Sequence, residues 1–340
     1  MDSMTVTATT QRADENRRIE VGLRALLDRL DATTRLVCGY HLGYWDADGA
    51  PTDGGGKGLR GRLALLSAAA AGAGDELGVP AALACELLHN FSLLHDDVMD
   101  GDARRRHRPT AWAQFGIPAA LLAGDAMASL ASEVLAEAPS VTAPWAVRCA
   151  AATTRRLIAG QVADLAFESR DEVSLDECLR MADDKTGALM ACAASIGAVL
   201  ADAPADLALG LADFGTHLGL AFQLVDDLLG IWGAPERTGK PVLSDLRSRK
   251  RSLPVVAALE SGTSAGARLR TLYLGSEAMG EAEAAAAAEL VVEAGGRSWT
   301  EQRAEEELDL ALATLAALDM PTAVAEEFAE LARGLRGRDH

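Results

Sequence analysis

The sequence predicts an all-α protein with one main domain, and three observations carry that expectation. Apolar residues between Pro80 and Asp100, namely Leu83, Leu87, Leu88, Phe91, Leu94 and Val98, recur at helical rather than alternating spacing, and the segment 207–232 reads the same way. Alanine-rich runs such as Ala68-Ala69-Ala70-Ala71 favour helices, because alanine loses no side-chain entropy in them. Apolar residues make up 49% of the 340 residues and aromatics only 4%, which fits an all-helical globule. Length alone allows one large domain or two. Clusters of glycine and proline at 51–58, 139–144 and 233–241 punctuate the chain without a long low-complexity linker, so residues 19–340 read as a single domain.

Residues 1–18 are polar and lack a core pattern, which predicts a mobile tail; no apolar signal-peptide core is present there. No uninterrupted apolar stretch reaches the roughly 20 residues that span a bilayer, so a soluble protein is expected. The five cysteines, Cys38, Cys85, Cys149, Cys178 and Cys192, are well separated and form no CxxC pair, which reads as reduced, buried thiols in a cytoplasmic protein. A formal net charge of -18 and a pI near 4.7 argue against a nucleic-acid partner, which calls for a broad basic face.

The chemistry is concentrated in acidic pairs. Asp96-Asp97-Val98-Met99-Asp100 ends the first apolar segment, and Asp226-Asp227 lies within the second. On a helix, Asp96 and Asp100 share a face one turn apart, roughly 6 Å along the axis. Carboxylates gathered in this way repel unless cations lie between them, and hard oxygen ligands suit Mg2+, which bridges carboxylates and phosphates. Within an acidic chain, two basic clusters stand out: Arg104-Arg105-Arg106-His107-Arg108, directly after the first aspartates, and Lys57 and Arg60 after the flexible stretch Gly54-Gly55-Gly56. Arginine grips phosphate oxygens bidentately, while lysine acts as a point charge. Acidic pairs and cationic clusters together point to a metal-bridged diphosphate site.

From about Gly55 to Pro254 the chain resembles the trans-isoprenyl diphosphate synthases, or polyprenyl synthetases. The ordered blocks are Gly55-Gly56-Lys57-x-x-Arg60, His89-Asn90-Phe91-Ser92-Leu93-Leu94-His95 leading into the first aspartates, and Arg105-Arg106 before Arg108-Pro109-Thr110. They continue with Gly160-Gln161-x-x-Asp164-Leu165, Lys185-Thr186, Phe222-Gln223-Leu224-Val225-Asp226-Asp227, Gly239-Lys240-Pro241 and Ser252-Leu253-Pro254. The resemblance implies a helical bundle of the isoprenoid synthase type with a central active-site cavity, acting as a homodimer. It implies a reaction in which an allylic diphosphate (C5 to C15) ionises and the alkene of isopentenyl diphosphate attacks the resulting cation, with proton loss completing the elongation.

By the same resemblance, Asp96, Asp97, Asp100, Asp226 and Asp227 are Mg2+ ligands, directly or through water, for three ions. Lys57, Arg60, His89 and Arg106 contact isopentenyl diphosphate. Arg105, Lys185, Lys240 and Lys250 contact the allylic diphosphate, and Thr186 and Gln223 are polar neighbours of the reacting centre. His95 has no assigned role. Three positions depart from the family pattern: Gly230 replaces the third aspartate of the second motif, Gly61 replaces a proline, and His107 replaces a glycine. Loss of that aspartate implies weaker Mg2+ binding and keeps two other readings open: a terpene cyclase on the same fold, or a non-catalytic partner subunit.

Phe91 lies five residues before Asp96, roughly 7 to 8 Å along a helix, and small Ser92 follows it. In the family this pattern resembles short-chain synthases whose pocket floor stops growth at the C20 geranylgeranyl product. The block Gly39-Tyr40-His41-Leu42-Gly43-Tyr44 with Asp46-Ala47-Asp48-Gly49 is also similar to polyprenyl transferases carried as cargo of encapsulin-type shells, which implies a shell as a partner.

Overall fold

The computed structural model describes residues 2–52, 58–234, 242–275 and 278–335, with side chains from residue 13 onward. Lys57 and Lys240, the Gly55-Gly56 pair and the C-terminal Arg336, Arg338 and His340 therefore lie outside the described residues. The described elements are helices except for one two-residue hairpin, as the apolar spacing predicts. The chain divides into two compact units.

The first unit comprises Met1–Thr154, Cys192–Ala212 and Leu318–Ala325. It contains α1 (Asp2–Leu27), α2 (Ala32–Leu42), α3 (Leu59–Ala70) and α4 (Asp75–Met99). These are followed by β1 (Arg104–Arg105), β2 (Arg108–Pro109), α5 (Ala111–Phe115) and α6 (Ile117–Ala136). Helix α4 is central, packing on both α3 and α6. It begins at Asp75, ahead of the Pro80 start read from the sequence, with Asp75 and Glu76 in its first turn, where negative charge suits the helix dipole. It stops where Gly101 adopts φ +67, a left-handed turn that glycine enters without a Cβ penalty. The segment read as a tail is helical from Asp2, and Glu15 within it is buried and pairs with Arg62 at 3.3 Å.

Small residues set the packing distance. A Cβ at Gly197 would strike the backbone of α3 at Ala64 and Ala68, and the Gly197 N–H donates to Ser67 Oγ at 2.9 Å. Buried alanines at 81, 82, 84, 120, 123 and 131 continue the close contact of α4 and α6.

The second unit comprises Arg155–Ala191, Asp213–Ala317 and Glu326–His340. The boundaries between units fall within α7 (Ala143–Glu168), α9 (Ala188–Leu200) and α10 (Ala205–Trp232). The second unit also holds α8 (Leu175–Ala182), a π-helical turn (Asp183–Gly187), α11 (Ser244–Arg247) and α12 (Leu253–Glu260). Helices α13 (Ser264–Tyr273), α14 (Glu281–Glu293) and α15 (Gly296–Ala316) follow, and most of α16 (Thr322–Arg333) belongs here. Helix α12 packs on α15, where Gly296 lets the backbone approach Pro254 O. One apolar cluster joins Phe167, Cys178, Leu224, Leu253 and Val256; another joins Ile231, Leu246, Val255, Leu269 and Val291.

Helices α4, α6 and α10 are long and apolar enough, by length and composition, to cross a membrane. Glu86, His89 and Asn90 interrupt α4, and most of its apolar window is buried inside the protein. Of the cysteines, Cys38, Cys85, Cys178 and Cys192 are buried as expected; Cys149 is exposed, contrary to the sequence reading.

Candidate active site

The predicted site residues are divided between the two units, and each set includes an aspartate pair on a long helix. In the first unit, α4 turns Asp97 inward to 2% exposure, while Asp96 is half-buried and Asp100 exposed. The 100° step per residue causes this: residues 96 and 100 share a face, and 97 does not. Arg105, on β1, meets Asp97 with Nε at 2.8 and 3.1 Å from the two carboxylate oxygens and Nη2 at 2.8 Å. Burial raises the Asp97 pKa, opposed by Arg105. The hairpin that presents Arg105 closes through Arg106 at φ 49 and His107 at φ 64, a left-handed pair of the kind that suits two-residue hairpins. His107, in a position where the family has glycine, therefore adopts the glycine-like backbone conformation.

About two and three turns earlier on α4, His89 and Glu86 face the start of α3. An N–H of Arg60 Nη1 lies 3.2 Å from His89 Nε2. Guanidinium only donates, so Nε2 accepts and the ring is neutral. Burial, followed by the charges of Arg60, Arg106 and Arg105, lowers the His89 pKa. Asn90 donates to Glu86 O at 2.8 Å and hydrogen-bonds the His41 side chain. Phe91 is buried with its ring edge-on to His95, centroids 4.9 Å apart, and half-buried Ser92 donates to His89 O at 2.9 Å.

In the second unit, α10 repeats the pattern: Asp226 is exposed and Asp227 buried. Here the donors that hydrogen-bond the buried carboxylate are neutral, not a guanidinium. Gln223 Nε2 donates to one oxygen at 2.8 Å, and the Leu253 N–H, in the first turn of α12, donates to the other at 2.9 Å. Thr186 Oγ1 donates to Gln223 Oε1 at 2.6 Å, so Thr186, Gln223 and Asp227 form one chain. Burial raises Asp227 to a pKa of about 6, although Lys250 and these donors oppose it.

Lys250 is surrounded by carboxylates. Burial alone would lower its pKa, but Asp245, Asp227, Asp164 and Asp226 outweigh burial and hold the ammonium above its usual value. Lys185 lies on the π-helical turn, a distortion frequent at functional sites. Its Nζ is 2.5 Å from Asp164 Oδ2. Gly160 allows this, since a Cβ there would run into the Lys185 backbone. Burial pushes Asp164 up, yet Lys185 and Lys250 bring it below the ordinary carboxylate value.

Among the described residues, no three His, Cys, Asp or Glu side chains converge into a preformed metal cage. Magnesium characteristically takes one or two carboxylates and completes its shell with water and substrate phosphate. Asp96 and Asp100, sharing one accessible face, fit that requirement; Asp97, committed to Arg105, fits it less well.

The polyprenyl synthetase family model matches residues 50–291. The chain belongs to the polyprenyl synthetase family. It is 51% identical, over 91% of its length and 88% of the relative's, to a (2E,6E)-farnesyl diphosphate synthase of Mycobacterium tuberculosis. It is 43% identical to a geranylgeranyl diphosphate synthase of the same species, over 88% of this chain and 87% of the other. The crystal structure of a polyprenyl synthetase from Streptomyces coelicolor A3(2) superposes with a TM-score of 0.91 at 50% identity, covering 95% of this chain and 98% of that one. Membership makes the protein a trans-prenyltransferase.

Two departures from the family pattern now have physical reasons. The Gly61 N–H donates to buried Glu86 Oε1 at 2.8 Å, a bond that proline cannot make. At Gly230, a Cβ would collide with the Asp245 carboxylate. The space beside the missing third aspartate is filled by another carboxylate, contributed by α11.

The sequence reading omitted Asp164 as the Lys185 partner, Asp245 as the neighbour of Gly230, and Asn90 with His41. Asp164 carried a signal in the quoted Gly160-Gln161-x-x-Asp164 block. Asp245 carried none, because its contact lies across 15 residues of chain.

Gly61→Pro is expected to cost about 2 kcal/mol by stranding the Glu86 carboxylate, measured by denaturant unfolding at unchanged m-value. Because proline suits the first turn of a helix, little of that loss should come from α3 itself. Gly230→Asp should not strengthen the site: it should lower the melting temperature, and adding Asp245→Gly should restore most of the loss. Unchanged stability in the single variant would show that Asp245 moves aside freely.

Proposed function

We propose that the protein is a Mg2+-dependent synthase that condenses isopentenyl diphosphate with an allylic diphosphate to give a short all-trans product. The observation that carries this reading is the presence of two separate cationic sets. Arg60 with His89 and nearby Arg106 form one set, in the first unit; Lys185 and Lys250 form another, in the second unit, and Arg105 is fixed on Asp97. Two diphosphate substrates require two such sets, whereas a terpene cyclase requires one.

In this reading, Asp96, Asp100 and Asp226 carry the carboxylates that take magnesium, whose charge would offset the charge gathering on the departing diphosphate. Asp97 and Asp227 position Arg105 and Gln223. Thr186 and Gln223 form a fixed chain of dipoles ending on Asp227, which need not reorganise during the reaction. Asp245 beside Gly230 weakens the case for a non-catalytic partner subunit, since the substitution leaves the local carboxylate supply in place.

For product length, Phe91 followed by Ser92 supports a C20 geranylgeranyl product, while the 51% identity to a farnesyl synthase supports C15. A homodimer in the cytoplasm completes the proposal; α6 leaves Ile117, Leu121 and Leu122 exposed at 48%, 37% and 62%, an apolar face suited to a second copy. Association with an encapsulin-type shell rests on the 39–49 block alone, and co-purification with a co-expressed shell would test it.

With Mg2+, isopentenyl diphosphate and C5, C10 or C15 allylic primers, resolved by chain length, the purified protein should release prenyl diphosphates no longer than C20. Phe91→Ala should shift the products to longer chains; an unchanged distribution removes Phe91 as the floor. Release of a hydrocarbon without consumption of isopentenyl diphosphate would establish the cyclase. Light scattering should give about twice the 35.5 kDa chain mass, and Leu122→Glu should reduce it.

A further inference from the structure

Within the second unit, three residues of α7 spaced one turn apart meet the π-helical turn that carries Lys185. Arg156, Gly160 and Asp164 follow one another at i, i+4 and i+8, so they line up along one side of the helix. Arg156 donates from Nε to Asp184 Oδ1 and from Nη2 to Asp183 Oδ2, each at 2.7 Å. At Gly160 the Lys185 backbone lies where a Cβ would be, and Asp164 accepts from Lys185 Nζ at 2.5 Å. The first rung therefore grips the start of the turn, and the next two receive Lys185 itself.

A π-helical turn closes i to i+5 rather than i to i+4, and such turns are rare. Relaxation of Asp183–Gly187 to α geometry would rotate its flanks against each other by about 100°, the step of one residue. Lys185 and Thr186 lie inside the turn and reach different helices: Lys185 meets Asp164 on α7, while Thr186 donates to Gln223 on α10 at 2.6 Å. After such a rotation they could not both keep their partners. Arg156 is the contact that fixes the start of the turn. Gly187, lacking a Cβ, leaves room for Asp183 Oδ1, and Arg156 takes the other oxygen of that carboxylate. The planar guanidinium holds two adjacent carboxylates in fixed directions at once, which an ammonium, as a point charge, cannot do.

We propose that Arg156 is a positioning residue for the transfer reaction, locking the π-helical turn so that Lys185 is delivered to the allylic diphosphate. The clamp itself stands on the geometry of α7 and the turn. Its consequence for catalysis rests on the proposed function, through the role given there to Lys185.

The test is a double-mutant cycle in steady-state kinetics on the full chain, with Mg2+, isopentenyl diphosphate and a C10 allylic diphosphate. Arg156→Met should lower kcat/KM for the allylic substrate about a hundredfold, the scale of a misplacement of about 1 Å, and leave the KM for isopentenyl diphosphate unchanged. In a Lys185→Ala background the same substitution should cost nothing further, because the group it positions is gone. Arg156→Lys keeps the charge without the fork; it should lose activity in the same direction by a smaller factor, and it carries the cycle if Arg156→Met does not fold. Wild-type allylic kcat/KM in the Arg156 variants overturns the proposal. So does a loss that persists in full beside Lys185→Ala, or a parallel rise in the KM for isopentenyl diphosphate, which a general loss of structure would give. Lys185→Ala with wild-type kinetics removes Lys185 from the proposed function and the positioning role with it, whereas impaired Lys185→Ala beside unimpaired Arg156 variants overturns the positioning role alone.

Discussion

Burial of one carboxylate beside an accessible one is the constraint on which the aspartate pair of each unit is built. A buried carboxylate is tolerated only when donors replace its lost water. Asp97 and Asp227 are 2% and 4% exposed, and each organises its surroundings through the donors it recruits. Asp97 recruits a guanidinium and thereby fixes the hairpin that carries the arginines. Asp227 recruits an amide, a backbone N–H and the field of Lys250, and thereby ties α10 to the start of α12 and to the π-helical turn. The accessible partners, Asp96 and Asp226, are presented to solvent by helices whose orientation the buried partners help to set.

Within the second unit the helices must also pass close to one another, which explains the composition. Gly160 lets α7 lie against the backbone of Lys185, and Gly215 and Gly219 bring α10 against Met190 and Gly187. A side chain at any of these points would move Lys185 or Thr186 away from Asp164 or Gln223. The scarcity of aromatics and the abundance of alanine are, in this light, conditions for close helix crossings and so for short polar contacts.

Much of this was legible in the sequence because it depends on periodicity and local spacing. The helical reading of 80–100 and 207–232, and the shared face of Asp96 and Asp100, follow from a 100° step that needs no tertiary information. The same step separates Asp97 from its neighbours, and the structure shows it turned inward against Arg105. Helix limits were less legible: α4 starts ahead of Pro80, because tertiary packing on α3 and α6 supports a turn that local signals mark as a boundary. The conformation of His107 was not legible either, since a histidine gives no sign of a left-handed backbone until the hairpin closes around it.

The least legible feature is the most instructive about motifs. Read as a string, the second aspartate motif is short by one carboxylate at Gly230. An electrostatic site, however, depends on charges in space, and the space beside Gly230 is filled by Asp245. The two facts require each other: glycine at 230 leaves room that any Cβ would take, and buried Asp245 uses that room within reach of Lys250 and Asp227. The altered motif is therefore better understood as a carboxylate supplied from another helix than as decay of the site. That relocation also places the charge on α11, beside Lys250, coupling the acidic pair of α10 to a lysine that α10 itself does not carry.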